Sequence, residues 1–407
     1  MKICQIIYTY PPDVIGGADI YAERISKELS KKGHEVVVIT TKPYDGVSSL
    51  KPSLEMDDGV KVHRFYPLNI FSWTNTAEKS IFQKMIWNVL DVWNLHSYLT
   101  IKDILKKEKP DIVHIHTPIW FSLSIFDAIK SLKIPFIFTV HEYLLLCKRV
   151  SLLHASGEIC NEPGSVCKLY RSVSRKIVNN KPDMVTAPSQ FILDMLQSND
   201  FFRESKCIKI PLGIEWKNKM AEKDYKTIDI IYTGALVGHK GVEILIKAFR
   251  NLKQKNIRLH ILGKGPDEEH LRKIASGDKR IIFHGFMEGE ELNSLQKGAN
   301  ITVMPSIWFE NSPMAIYESL MNGTPVIGSR IGGIPELIEE GRNGFLFEAG
   351  NFDELEDILN HLVDNPLKLK ELEKGALKSG KKYSMNAHIE QLEKVYKELA
   401  LMSDKDQ

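Results

Sequence analysis

The pattern that most constrains this chain is a regular exchange between short, mainly apolar runs and longer stretches of helical periodicity. KICQIIY (2–8) is followed by ADIYAERISKELSKKG (18–33) and then EVVVIT (35–40), and DIVHIH, FIFTVH and DMVTAP continue the rule. In the first helical stretch Ile20, Ile25 and Leu29 share roughly one face, and lysines and Gly33 close it. Apolar runs exchanging with helices predict a parallel sheet covered by helices. A second series begins at DIIYTGA (229–235) and runs through RLHILGKG, RIIFHGF, ITVMPS and PVIGSR. Between the two lies EWKNKMAEKDYKT (215–227), charged and without strand character. A chain of 407 residues has room for two cores. The expected fold class is α/β: two facing, doubly wound, Rossmann-like domains with a ligand crevice between them, at the carboxyl ends of the strands. The expected boundaries are 1–205 and 206–385, with 386–407 a final helix free to pack back on the first domain.

Composition removes several classes. A formal net charge of +2 gives no strong field for nucleic acid. The opening ten residues read as a first strand and not as a leader, because a long apolar centre and a small-residue cleavage site are missing. No stretch of 18 or more uncharged apolar residues occurs. Five cysteines in so long a chain do not make a disulfide framework. A reduced, cytoplasmic setting is expected, the inner face of a membrane included.

Four constellations sit just after expected strands. In WFENSPMAIYESL (308–320), Ser312 reads as a helix N-cap and Pro313 as the first helical residue. Glu310 then lies in the loop and Glu318 inside the helix. The free N–H groups between Asn311 and Ala315, Pro313 having none, form a natural anion site. Carboxylates on either side of an anion are suited to accept hydrogen bonds from hydroxyls, and hydroxyls flanking phosphates describe a nucleotide sugar. The plain alternative is a solvated loop glutamate and a surface glutamate. In TGALVGHKGVEILIKAF (233–249), Lys240-Gly241 opens an amphipathic helix, where a lysine suits a phosphate or simply faces water. In YPPDVIGGADIYAERI (10–25), Gly16-Gly17 lets backbone approach a ligand closely or merely loosens a loop. In FTVHEYLLLC (138–147), His141-Glu142 follows a buried-type strand, placing an imidazole for proton or hydrogen-bond work or for a structural bond.

Taken in order, the Gly16-Gly17 loop, GHEVVVIT, TVHEY, PLGIE (211–215), the Lys240-Gly241 loop, GKGP, FHGF, the E-x7-E pair Glu310 and Glu318, and GGIPELI (332–338) resemble the retaining glycosyltransferases of family 4 with the two-domain GT-B fold. The resemblance spans nearly the whole chain. It implies an acceptor-side first domain and a second domain that binds a UDP- or GDP-linked hexose. It implies that Glu318 holds the ribose hydroxyls, that Glu310 holds donor-sugar hydroxyls, and that Asn311, Ser312, Pro313 and Met314 bring backbone to the diphosphate and sugar. Lys240 would neutralise the leaving diphosphate, Gly16 and Gly17 would approach the donor, and His141 would lie by the transferred sugar. The stretches around Gly263, Gly265 and Phe286 would wall the base. The resemblance also implies retention of configuration, no metal or other cofactor, and a glycan, lipid-linked or small-molecule hydroxyl acceptor. One departure stands out: Ala235 occupies the place where the family carries an arginine, with His239 and Arg330 as candidate replacements.

Weaker signals remain. Cys147, His154, Cys160 and Cys167 fall in one segment, either a zinc set or a loop with free thiols. Residues 70–108, with Trp73, Trp87 and Trp93, read as helix core, or as an interfacial helix that gives the protein a peripheral membrane contact. Two other function classes stay open: a nucleotide-sugar 2-epimerase or hydrolase, and a catalytically silent nucleotide-sugar-binding partner.

Overall fold

The structure is a computed structural model that describes residues 1–14, 16–72, 74, 78–154, 156–215 and 223–403. Trp73 and the linker residues 216–222 lie outside the described residues. Contacts divide the chain into two units: Met1–Leu152, Asn161–Pro211 and His388–Gln407 form the first, and Leu153–Cys160 with Leu212–Ala387 form the second.

The first unit runs β1 (Lys2–Ile7), α1 (Gly17–Lys31), β2 (Glu35–Thr41), β3 (Ser53–Asp57), β4 (Val60–Phe65), α2 (Ile81–Leu90), α3 (Leu95–Glu108), β5 (Ile112–Thr117), α4 (Ser124–Ser131), β6 (Phe136–Thr139), α5 (Ser165–Val178), β7 (Met184–Ala187), α6 (Gln190–Ser198) and β8 (Lys206–Lys209). Its sheet has the order β3-β4-β2-β1-β5-β6-β7-β8. All neighbours are parallel except the β3–β4 pair. Cys4, Ile6, Val37, Ile39, Val113, Ile115 and Ile137 are fully buried, as continuous apolar strands covered on both faces must be. The boundary at 205 is corrected here: KCIK (206–209) pairs with β7 and completes the first sheet. Two lysines in four residues hide that strand in the sequence.

The second unit runs β9 (Ile228–Thr233), α7 (Val242–Asn251), β10 (Ile257–Leu262), α8 (Glu268–Ala275), β11 (Ile281–Gly285), α9 (Gly289–Gly298), β12 (Ile301–Met304), α10 (Met314–Met321), β13 (Val326–Ser329), β14 (Gly344–Phe347), α11 (Phe352–Val363) and α12 (Pro366–Lys381). Its sheet is parallel throughout, in the order β11-β10-β9-β12-β13-β14. One core joins Ile230, Tyr232, Leu245, Phe249, Ile261 and Val303 to Phe347, Leu359 and Leu372. The charged stretch after 215 is not all linker. Lys223 is buried, and its ammonium donates to the Ala299 carbonyl (2.8 Å) and the Thr324 hydroxyl (2.6 Å). A final helix, α13 (Met385–Ser403), follows. From His388 onward it is part of the first unit, where Tyr396 and Leu392 are buried.

Candidate active site

In the second unit, the loops after β9 and β12 bring Lys240 and Glu310 together. The Lys240 ammonium lies 2.6 Å from Oε1 of Glu310. The same oxygen accepts from Ser306 Oγ and from Trp308 Nε1, each at 2.8 Å. Lys240 also sits 5.0 Å above the Trp308 ring, and His239 meets that ring edge-on. The carboxylate is therefore oriented by two neutral donors independently of the lysine. It is 6% exposed, so these charge-assisted bonds act where water competes little.

Two glycines let the loops meet. Gly241 has φ +70°, and a Cβ there would fall 1.8 Å from the Pro305 carbonyl oxygen. Gly332 has φ +60°, and a Cβ would fall 2.2 Å from the Glu310 carbonyl oxygen. That carbonyl accepts from Gly333 N–H at 2.7 Å, so the GGIPELI stretch holds the Glu310 loop by its backbone. In the same way Gly263, with φ +139°, packs against the Gly234 carbonyl, and Gly265 against Leu236, which seats the GKGP turn on the β9 loop. Phe286 follows β11 and is exposed.

The helix start differs from the expected one. Pro313 is the N-cap and Met314 the first helical residue, and Pro313 has the extended φ and ψ of a cap. Ser312 does not cap because its hydroxyl is 2.5 Å from the Tyr317 hydroxyl, one turn on. Glu318 lies on α10 and accepts from Gln296 Nε2 at 3.1 Å. Asn311 lies in the loop between Glu310 and Ser312. Sequence reasoning missed Ser306, Trp308 and Gln296. The indole two residues before Glu310 was the available signal.

In the first unit, Gly16 is the N-cap of α1, extended and exposed, and its N–H donates to Asp19 Oδ2 at 3.0 Å. A Cβ at Gly16 would meet nothing within 4 Å, so neither conformation nor crowding inside the unit requires a glycine. Gly17 opens the helix. His141 follows β6 and is enclosed by Tyr21, whose ring centre is 5.1 Å away, and by His116, whose Nδ1 is 3.2 Å from its Nε2. Burial holds the His141 imidazole down to about 3 in pKa, helped by His388, so it is neutral at pH 7. Burial pushes the neighbouring Glu142 carboxyl up to about 7, with Asp19 adding to the rise.

Two family models tile nearly all of this chain: "Glycosyltransferase Family 4" over residues 15–216 and "Glycosyl transferases group 1" over 215–379. The chain belongs to this glycosyltransferase group. It is 25% identical over 387 residues to an uncharacterized glycosyltransferase of Methanocaldococcus jannaschii, covering 87% of each chain. It is 24% identical over 374 residues to the MMP alpha-(1->4)-mannosyltransferase of Mycolicibacterium hassiacum, covering 88% of each. Among solved structures, the sucrose-phosphate synthase of Thermosynechococcus elongatus superposes with a TM-score of 0.76 at 18% identity, over 98% of both chains. Anabaena HepE, solved in complex with UDP, gives 0.71 at 16% identity, over 98% of this chain and 100% of that one. The fold of this glycosyltransferase is therefore of GT-B type.

The place of the family's arginine remains with Ala235, whose carbonyl accepts from the Tyr232 hydroxyl at 2.9 Å. Arg330 is engaged elsewhere in the transferase, with Glu348 at 2.9 Å and Glu340 at 3.3 Å. Burial and Lys240 hold the His239 imidazole below its usual range. Among the described residues no group of three or more His, Cys, Asp or Glu is arranged to hold a metal ion, and Cys147 and Cys167 are not in disulfides.

The 70–108 stretch of the transferase divides in two. Trp87 is core, stacked on Phe71 and 4.3 Å from the Trp120 ring centre. Trp93 is part-exposed and donates from Nε1 to Asp127 at 2.9 Å. However, Phe82, Met85, Ile86 and Val89 form an exposed apolar stripe along α2, Phe82 being 70% and Val89 73% exposed. The expectation of ordinary helix core is corrected there. Among the described residues no helix is long and apolar enough to cross a membrane.

Proposed function

We propose that this glycosyltransferase moves a hexose from a UDP- or GDP-linked donor to a hydroxyl acceptor, with retention of configuration and without a metal. The observation that carries the reading is the meeting of Lys240 and Glu310 at the carboxyl ends of β9 and β12, beside the N-terminus of α10. In this reading the Lys240 ammonium and the helix N-terminus face the diphosphate, Glu310 accepts from donor-sugar hydroxyls, and Glu318 accepts from the ribose. Asn311, Ser312, Pro313 and Met314 present backbone to the phosphates, and Gly263, Gly265 and Phe286 border the base. His141 meets the transferred sugar. Gly16 and Gly17 come close to the donor, which is the remaining reason for a glycine where the unit itself demands none.

The reaction is a front-face displacement. The acceptor oxygen bonds to the anomeric carbon as the bond to the departing phosphate breaks, and the acceptor proton passes to that phosphate. No protein carboxylate becomes covalently bound. Because Ser306 and Trp308 hold Glu310 without the lysine, Lys240 can turn to the phosphate while the carboxylate keeps its place. Solved HepE holds UDP, and a 28% identical relative from Corynebacterium glutamicum is a GDP-mannose-dependent alpha-mannosyltransferase, which supports both bases as donors to try.

The test is thermal unfolding with UDP, GDP, ADP and NAD, with magnesium and with EDTA. A nucleoside diphosphate at about a hundred times its Kd should stabilise by roughly 2.7 kcal/mol in either buffer. The anomeric configuration of the product is then read by NMR. A protein that no diphosphate stabilises overturns the reading, whereas one that a diphosphate stabilises but that transfers no sugar to any acceptor favours the silent-partner class. Turnover of the sugar nucleotide without any acceptor favours the epimerase or hydrolase class.

For the acceptor, we propose one presented at an anionic lipid surface. The apolar stripe of α2 is flanked by Lys79 and Lys84, and the helix carries no acidic residue. Co-sedimentation with anionic vesicles should be abolished by Phe82→Asp with Val89→Asp, and undiminished co-sedimentation of that variant overturns the assignment.

A further inference from the structure

The carboxyl ends of the first sheet's strands leave polar atoms without partners. Thr117 closes β5 and Tyr10 follows β1; both are buried, and neither hydroxyl has a hydrogen-bond partner. Glu142 lies just beyond β6, the strand beside β5, and its Oε1 is likewise shut off from water and unpartnered. Buried polar groups in folded proteins are almost always bonded, so a carboxyl left in this state needs a reason outside the local fold. Lys148, the cation that acts on Glu142, does not bond it. Its ammonium lies 2.5 Å from Asp91 and over the rings of Trp87 (5.0 Å) and Tyr170 (5.7 Å).

The surroundings decide what Glu142 can receive. Asp19 from α1 adds negative charge, Lys148 opposes it, and Tyr8 after β1 and Tyr170 on α5 feel the carboxyl in turn. A phosphate would bring a further negative charge to a place where two already repel. A hydrogen-bond donor without negative charge is favoured, because it supplies the bond that the fold leaves unmade. On the acceptor of a glycosyl transfer the donor of that kind is the hydroxyl. His141, the preceding residue, meets the transferred sugar in the reading above. In a front-face displacement the attacking hydroxyl passes its proton to the departing phosphate. The proton that Glu142 accepts in a hydrogen bond therefore belongs to a different hydroxyl of the same acceptor.

We propose that Glu142 determines acceptor specificity: its carboxyl accepts a hydrogen bond from a hydroxyl beside the attacking one, so that the acceptor is a polyol or a sugar ring and not a lone alcohol. The inference rests on the reading that His141 meets the transferred sugar, and it adds the chemistry of the acceptor on that side. It agrees with an acceptor at a lipid surface whose headgroup carries adjacent hydroxyls. The fold keeps an oxygen without a partner because the ligand completes it.

Two measurements on the full chain test this. The first is thermal unfolding of Glu142→Gln, which keeps the shape and removes the charge. At pH 8 its midpoint should rise by about 3 °C, since a carboxylate without a partner costs stability. The gain should shrink at pH 5.5, where the folded wild type has taken up the proton. A midpoint that falls at pH 8 makes Glu142 a structural residue and overturns the proposal. The second takes the nucleotide sugar whose diphosphate stabilises the protein and offers methanol, ethylene glycol, glycerol, myo-inositol and the methyl glycosides of glucose, galactose and mannose as acceptors. The wild type should glycosylate at least one of the polyols or glycosides in preference to methanol. Glu142→Gln should lose about tenfold in kcat/KM for that acceptor, with the Kd of the nucleoside diphosphate unchanged. Transfer to methanol as readily, no transfer to any polyol or glycoside, or an unchanged kcat/KM in the variant overturns the proposal. A wild type that no diphosphate stabilises fails earlier, at the donor reading. Equal stabilisation of both proteins by the diphosphate with equal acceptor use leaves that reading standing and removes only the part given to Glu142.

Discussion

At the scale of single residues, the second unit concentrates its chemistry on one oxygen. Three donors converge on Oε1 of Glu310, and two of them are neutral. Removing the carboxylate in Glu310→Ala should cut transfer on the order of 10²-fold while nucleotide affinity stays near normal. Glu318→Ala should do the reverse, weakening the nucleotide. Ser306→Ala should cost transfer about tenfold, roughly 1.4 kcal/mol, because Glu310 loses a partner that does not move with the substrate. Steady-state kinetics with nucleotide titrations separate the three. Gly16→Ala should leave thermal stability within about 0.5 kcal/mol, since its φ is ordinary and the space is open, while donor KM rises. The spacing of Glu310 and Glu318, and a lysine beside Gly241, stand out in the sequence because strand–loop–helix punctuation frames them. Ser306 and Trp308 do not, because a donor that turns back within an irregular loop has no period. Nor does the grip of Gly333 on the Glu310 carbonyl, which spans 23 positions without an intervening pattern.

At the scale of elements, the loop between β9 and α7 is the joint that sets Lys240. Gly241→Ala combines a left-handed φ of +70° with a Cβ placed 1.8 Å from the Pro305 carbonyl oxygen. It should destabilise the second unit by more than about 1 kcal/mol and reduce transfer, as seen by thermal unfolding and kinetics. Gly298→Ala, at the end of α9 with nothing within 4 Å of the added methyl, is the matched control and should be neutral or stabilise by a few tenths of a kcal/mol. The strands that were legible are the buried parallel ones, where both faces are apolar. The β3–β4 hairpin, with Leu54 and Met56 exposed and charges interleaved, gives no such run. β8 fails for the same reason, with exposed Lys206 at its start. The start of α10 was displaced by one residue because Tyr317, a turn away, competes for the hydroxyl that would have capped it.

At the scale of the whole molecule, acid should find the first unit first. Burial holds His114 and His116 well below the usual imidazole range, His141 at about 3 and His388 at about 4. Below about pH 6.5 the unfolded chain protonates these imidazoles and the folded one does not, so stability falls as pH drops through that window. Glu142 and Asp91 act in the opposite sense, because burial raises them to about 7 and about 6 and folding then takes up their protons. Four imidazoles outweigh two carboxyls. Thermal unfolding at pH 7.5, 6.5 and 5.5 should show a falling midpoint, with a slope of about 1.4 kcal/mol per pH unit for each net proton, and His388→Gln should flatten it. A midpoint that rises over this range contradicts the assignment. None of this was visible in the sequence, because the partners that enclose the imidazoles come from opposite ends of the chain: Gln5 meets Tyr396 across 391 positions. That separation has a consequence for synthesis. A ribosome delivers β1 before any strand of the second unit, but the tyrosine that holds its amide only after every strand of that unit has been made. The first unit must therefore wait, open at one seam, while the second has every strand of its own sheet in hand, so the half of the protein translated first is the half completed last.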